Sequence, residues 1–144
     1  MKIASASKTV VFWLVAACAI PAQAQRSCYN GVLSGDYSFR ITGQILTGPL
    51  IGPNNGVALV TFDGDGKLIA RDHVAINGIQ PLDEWRDSTG TYTVNPDCTG
   101  KAQVNFIDGR PPIVYYFVFL RSRQQLDIVV GNTGTNVSVV ATRM

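Results

Sequence analysis

The sequence predicts an all-β protein, a single antiparallel up-and-down β-barrel of about eight strands. Apolar and polar residues alternate with a period of two along much of the chain. Gly, Pro, Asn and Asp cluster between the alternating segments, and no segment has a convincing helical period over three turns. Short strands in sequential hairpins favour a closed barrel because closure removes exposed strand edges. A β-sandwich is the alternative.

The chain begins with a segment typical of a bacterial export signal. Lys2 and Lys8 precede the apolar run Thr9–Ile20, which has 12 residues. A membrane-spanning helix needs about 20 apolar residues, so this run is too short for one. The sequence Ala22-Gln23-Ala24 has the small-x-small form that a signal peptidase requires. We therefore predict a cleaved signal peptide over residues 1–24 and a single β-barrel domain over residues 25–144.

The same apolar run contains a second processing signal. Val15-Ala16-Ala17-Cys18 is similar to the lipobox of bacterial lipoproteins, in which the cysteine is acylated and becomes the first residue. We expect simple export to the periplasm or the medium, since the site at Ala24 is good and the apolar run continues beyond Cys18. A lipoprotein anchored at Cys18 is the alternative.

Removal of the signal changes the charge of the protein. The whole chain has a net charge of +2, and Lys2 and Lys8 account for that excess. Residues 25–144 contain 2 Lys and 8 Arg against 10 Asp and Glu, so their net charge is zero. A neutral domain has no basic surplus to attract a polyanion, so we expect no nucleic-acid partner.

Two cysteines remain after the predicted cleavage, Cys28 and Cys98. An even number of cysteines in an exported chain indicates a disulfide. This bond closes a loop of about 70 residues and contributes about 4 kcal/mol in the chain-entropy model. Because the pair lacks CxxC spacing and neighbouring histidines, we expect neither a metal site nor a cofactor.

Alternation and turn residues place the strands in order. The first strand is centred on Tyr37–Ile41 and a tight hairpin follows at Asp63–Gly66, where glycines supply the positive φ that such turns require. The hairpin carboxylates resemble the opening of a calcium loop, but Val74 stands where the last acidic ligand is needed, which favours a plain turn. The segment Gly78–Asp87 is predicted to be a short helical turn or a lid. The other predicted strands are Val57–Phe62, Lys67–Asn77, Gly90–Val94, Lys101–Ile107, Ile113–Arg121, Leu126–Gly131 and a last one around Val137–Ala141.

Three segments resemble known barrels in the spacing of their strands and turns: Gly35–Phe39, Thr61–Gly66 and Gly90–Val94. The layout resembles small secreted bacterial β-barrel proteins of the lipocalin-like or allene-oxide-cyclase-like kind. Lipocalins usually carry Gly-x-Trp near the first strand, and here Gly35 and Tyr37 stand in its place. The resemblance implies a barrel over most of residues 25–144, and it transfers no catalytic residue.

The segment Ile113–Leu120 (IVYYFVFL) breaks the alternation because it is apolar on both faces. Such a strand is either buried on both sides or faces a partner. Cover by the loop Thr47–Asn55 and the N-terminal segment is one interpretation. A homodimer formed through Ile113–Leu120 is the other.

The candidate ligand-binding residues come from several strands and loops. Asp72 shares a strand face with apolar residues, so it lies near a strand end, pairs with an arginine or belongs to a site. Each remaining candidate is selected for one feature. The features are, in order, the only histidine, two apolar side chains in a Gly/Pro-rich loop, the single Trp outside the signal, and two aromatic residues of the apolar strand. The corresponding residues are His73, Leu50, Ile51, Trp85, Tyr115 and Phe117.

These observations predict a non-catalytic exported barrel that binds a small apolar or aromatic ligand or a protein partner. A barrel-type isomerase or cyclase is an alternative, with Asp72, His73, Arg40 or Tyr92 as acid-base groups. With one histidine and no Ser-His-Asp context, we assign no catalytic residue. A cell-surface interaction protein that uses the strand Ile113–Leu120 is a third interpretation.

Overall fold

The structure, a computed structural model, describes residues 27–144, and its strands form one antiparallel sheet. The only helical elements in this range are two single-turn 3-10 helices, Asn30–Val32 and Arg121–Arg123. The eight strands pair in chain order, and the last pairs with the first to close a barrel. Closure excludes the sandwich and confirms the predicted up-and-down barrel. The strands are β1 (Ser34–Ile45), β2 (Gly52–Asp63), β3 (Lys67–Ile76), β4 (Arg86–Val94), β5 (Thr99–Phe106), β6 (Ile113–Leu120), β7 (Gln125–Val130) and β8 (Thr135–Arg143).

Large side chains fill the barrel interior. Alternate residues of every strand point inward, as the period of two requires. Tyr37 and Tyr92 each pack edge-on against Phe62, with ring centroids 5.3 Å and 4.9 Å from it. An eight-stranded barrel is just wide enough for side chains to fill it or for one small ligand. Here the remaining cavity has a volume of about 30 Å³.

The N-terminal segment closes one end of the barrel, which we call the closed end. Cys28 forms the predicted disulfide with Cys98 in the turn between β4 and β5. Leu33 is fully buried, and its carbonyl accepts a hydrogen bond from the Tyr92 hydroxyl at 2.9 Å. The side chain of Asn30 accepts another from the backbone of Val94 at 2.8 Å. These contacts fix the chain across the end where β1 begins.

The opposite end, which we call the mouth, carries the three longest connections between strands, residues 46–51, 77–85 and 107–112. The short connection 131–134 lies at the same end. Two predicted boundaries are corrected here. Residues 52–55 of the predicted loop Thr47–Asn55 belong to β2. The segment Gly78–Asp87 contains no helix: residues 78–85 form turns and bends, and the last two residues begin β4.

The outer face of β6 has no cover among the described residues. Tyr116 is 49% exposed and Val118 is 44% exposed, whereas Phe117 and Phe119 between and beyond them are buried in the barrel. The prediction that the loop Thr47–Asn55 covers this strand is therefore wrong, because that loop lies at the mouth. The N-terminal segment, the other predicted cover, lies at the closed end from residue 28 onward, and its residues before position 27 lie outside the described residues.

The hairpin between β2 and β3 is a self-contained turn. Asp63 Oδ1 accepts hydrogen bonds from the backbone amides of residues 65, 66 and 67 at 2.8–3.0 Å. Those bonds lower the pKa of the Asp63 carboxyl, with the amide of Lys67 as the largest cause. The carboxylate is thereby used to hold the turn, as the interpretation of a plain hairpin requires.

The predicted signal peptide, its cleavage site after Ala24 and Cys18 lie outside the described residues. Within residues 27–144, no helix has the length and apolar character needed to cross a bilayer.

Candidate functional site

The mouth concentrates exposed apolar side chains on three of its loops. Leu50 and Ile51, in the loop between β1 and β2, are 39% and 57% exposed. Trp85, at the end of the loop between β3 and β4, is 46% exposed. Apolar side chains exposed together at one end of a barrel are typical of a binding surface. The other exposed apolar residues of the mouth loops are Leu46, Ile79, Leu82 and Ile107.

A largely buried ion pair lies just inside the mouth. Asp72 of β3 and Arg86 of β4 face each other across the strands, and both side chains are 15% exposed. Arg86 Nε donates to Asp72 Oδ1 at 2.7 Å. Of the three environments expected for Asp72, the structure shows a pair with an arginine. A buried carboxylate and guanidinium are tolerated because each neutralises the other.

Tyr115 and Ser88 complete a polar cluster with this pair. Both line the same small cavity as Asp72, which is otherwise bounded by apolar side chains such as Phe39 and Ala70. Burial is the main cause that raises the pKa of Tyr115 to about 12; the nearby Asp72 carboxylate contributes to the rise and Arg86 opposes it. The phenol is therefore neutral and retains its O–H as a donor. We call Asp72, Arg86, Tyr115 and Ser88 the mouth cluster.

His73 lies on the outer wall and holds a mouth loop. Its Nδ1 donates to the carbonyl of Glu84, and its Nε2 lies 2.9 Å from Gln80 Oε1. The Trp85 ring packs against the imidazole with centroids 6.1 Å apart. The Glu84 carbonyl and then the Gln80 side chain raise the pKa of His73 because both accept hydrogen bonds from the protonated ring, whereas the Arg86 charge lowers it.

The sequence candidates thus fall into three places. Leu50, Ile51 and Trp85 lie on mouth loops, where all three are exposed. Asp72 and Tyr115 meet inside the mouth, whereas Phe117 is buried deeper in the same interior. His73 faces outward and does not reach the interior.

The acid-base set considered for an isomerase is not brought together. Arg40 is exposed on the outer wall of β1, and His73 is on the outer wall of β3. Tyr92 is at the closed end, where its hydroxyl donates to Leu33. Among these residues, only Asp72 faces the mouth cavity.

Three polar residues near the mouth were missed by the sequence analysis. Arg86 and Ser88 precede the part of β4 that is predicted as a strand, so there was no strand alternation from which to infer that their side chains point inward. Asn54, which is 7% exposed, has a side-chain oxygen with no hydrogen-bond partner among the described residues. The alternation of β2 could have identified Asn54, because it is an even number of residues from Val60 and Phe62 and therefore faces the interior as they do.

The outer wall carries a second apolar feature. Tyr116 and Val118 of β6 adjoin Val129 of β7 and Val140 of β8, and these four side chains are 44–54% exposed. In the sheet, Tyr116 lies directly opposite Val129. We call these four residues the wall strip.

Comparison with known proteins gives no relative from which a function can be transferred. No protein-family model, curated protein or solved structure matches the chain.

Proposed function

We propose that this protein is a non-catalytic binding protein whose barrel mouth takes a small ligand with an aromatic or aliphatic group. The observation that carries the proposal is the asymmetry of the barrel ends. Apolar loop residues such as Leu50, Ile51 and Trp85 are exposed around the mouth, while the N-terminal segment and the disulfide cover the closed end. Ligand sites concentrate in the mouths of barrels, where loops vary on a rigid scaffold.

The volume of the interior restricts where the ligand sits. The interior cavity of about 30 Å³ is far smaller than the roughly 300 Å³ at which pockets for drug-sized ligands begin. Phe39 and Phe117 line that cavity. The proposed site is therefore the rim of the mouth with the mouth cluster as its floor, and not a deep calyx.

A fluorescence titration with N-phenyl-1-naphthylamine, a neutral aromatic probe, tests this proposal. We expect a rise in probe fluorescence with the unaltered protein and weaker binding after the double substitution Leu50→Ser and Ile51→Ser. Ile69→Ser is the matched control because Ile69 is 61% exposed on the outer wall, away from the mouth. The proposal fails if the probe does not bind, or if Ile69→Ser weakens binding as much as the mouth variant.

The proposal includes export and a lipocalin-like mode of binding. The disulfide supports export, since such bonds persist in oxidising compartments. The closed eight-stranded barrel supports the lipocalin-like comparison. Mass spectrometry of the protein from its host distinguishes a free N-terminus at Gln25 from a diacylated Cys18. A chain that still begins at Met1 would contradict both routes.

A second candidate function is self-association through the wall strip. Adjacent apolar side chains that are exposed to water often mark a protein–protein contact, because their burial is favourable. The surface beside the strip carries Lys101 and Asp127, so a second copy of this chain offers an opposite charge to each. Size-exclusion chromatography tests this function. We expect a dimer that Tyr116→Glu converts to a monomer and Ile69→Glu leaves intact; equal elution of all three proteins would exclude the wall strip.

A further inference from the structure

The mouth cluster has no net charge but retains unused hydrogen-bonding groups. Among residues 27–144, the guanidinium of Arg86 makes one hydrogen bond, through Nε to Asp72 Oδ1. Its two Nη groups and Asp72 Oδ2 therefore have no protein partner within that range. The hydroxyl of Ser88, a residue that is 3% exposed, lines the cavity and likewise makes no hydrogen bond to a described residue.

The surroundings of the cluster decide what it can accept. The cavity walls are mostly apolar, and a charge that enters such a site loses hydration that the walls cannot replace. An anion would add a second negative charge beside Asp72, and a cation would add a second positive charge beside Arg86. Of the other charged groups on the mouth loops, Asp108 and Arg110 are paired with each other at 2.7 Å, whereas Asp83 and Glu84 are exposed to solvent, which screens their charges.

We infer that the mouth cluster binds a neutral polar group with an adjacent acceptor and donor, such as a carboxamide or a lactam. Arg86 Nη donates to the ligand carbonyl, and Asp72 Oδ2 accepts from the ligand N–H. The Tyr115 hydroxyl and the Ser88 hydroxyl supply further hydrogen bonds at the floor. This inference rests on the proposed function, because the apolar part of the same ligand lies on the rim of the mouth.

Three probes of similar shape and different charge test the inference: phenylacetamide, phenylacetate and phenethylammonium. Nuclear magnetic resonance follows the side-chain Nε–H signal of Arg86, and the same signal of Arg71, which pairs with Asp87 outside the barrel, is the internal reference. We expect phenylacetamide to shift the Arg86 signal and to bind at least about tenfold more tightly than either charged probe, because neither ion is compensated. Equal binding of the three probes, or a preference for an ion, overturns the inference.

Charge-removing variants give the second arm. Asp72→Asn leaves the guanidinium unpaired, so we expect the preference to move to phenylacetate. Arg86→Gln leaves the carboxylate unpaired, so we expect it to move to phenethylammonium. Asp87→Asn on the outer wall is the matched control and should keep the preference of the unaltered protein. Unchanged preferences in Asp72→Asn and Arg86→Gln would overturn the inference.

Two further measurements distinguish a failure of the inference from misfolding of a variant and from a failure of the proposed function. Tyr115→Phe removes only a hydroxyl, and we expect it to keep the barrel while weakening phenylacetamide binding about threefold to tenfold, as loss of one hydrogen bond does. Full retention of affinity in this variant counts against the assigned floor. If N-phenyl-1-naphthylamine binds the mouth but phenylacetamide is not preferred, the inference fails and the proposed function stands. If neither binds, both fail.

Discussion

Asp72 and Arg86 form an ion pair inside the barrel, with Nε and Oδ1 2.7 Å apart, at one cross-strand position between β3 and β4. At the next position, Arg71 and Asp87 form a pair of reversed polarity on the outer wall. The same two strands thus carry two ion pairs of like chemistry and opposite exposure. This arrangement separates the effect of burial from the effect of charge.

Removal of one charge from the inner pair should destabilise the fold more than removal of one from the outer pair. Arg86→Gln leaves the Asp72 carboxylate uncompensated at 15% exposure, so we expect a loss of about 3 kcal/mol in the free energy of unfolding. Arg71→Gln should cause little change because solvent screens the outer pair, whose side chains are 59% and 53% exposed. Urea denaturation of both variants measures the difference, and equal losses would contradict the role of burial.

The contact of His73 with the loop over residues 77–85 should depend on pH. Because the Glu84 carbonyl and the Gln80 side chain raise the pKa of His73, the folded protein favours the imidazolium. The contribution of the imidazolium to the free energy of unfolding is fully present below the pKa of about 6.5 that histidine has in the unfolded chain. That contribution is lost as the pH rises through the higher pKa that His73 has in the folded protein. Glu84 supports this protonation and Arg86 opposes it.

Unfolding free energies across pH 5–9, for the unaltered protein and for His73→Gln, measure this linkage (roughly the range in which a histidine titrates). We expect the difference between the two proteins to shrink as the pH rises. A difference that is independent of pH, or one that grows toward alkaline pH, would show that the imidazolium does not hold the loop.

Loss of the disulfide should weaken the closed end. The bond joins Cys28 to Cys98 across a sequence separation of 70. Its removal by the double substitution Cys28→Ser and Cys98→Ser frees the unfolded chain, which we expect to cost about 4 kcal/mol. Thermal unfolding of the oxidised protein and of the double variant checks the value. Identical unfolding of the two would mean that the noncovalent contacts near Leu33 carry the closure alone.

Leu33 should be among the more sensitive leucines of the chain. It is fully buried at the closed end, so Leu33→Ala removes apolar contacts and leaves a cavity at a cost of about 3 kcal/mol. Leu82 is fully exposed in a mouth loop and is the matched control, since Leu82→Ala removes no buried contact. Chemical denaturation measures both. A similar loss from the two variants would contradict closure by the N-terminal segment.

Some of the candidate site followed from local pattern and some did not. The inward parity of Asp72 and of Tyr115 is a property of the alternation in their own strands, so both could be selected before the barrel was known. Arg86 could not, because β4 begins at that residue and its sequence up to Thr89 lacks apolar alternation. Only the pairing of β3 with β4 places it opposite Asp72.

By itself the sequence determined the β class, the tight turn at Asp63–Gly66 and the pairing of Cys28 with Cys98, because alternation, turn chemistry and a remaining pair of cysteines are local or countable properties. Tertiary structure decided that the sheet closes through β1 and β8, that the apolar strand β6 presents one face to the outside, and that Asp72 meets Arg86. These features depend on which strands become neighbours and in what register. That choice is made by the summed packing of the whole barrel.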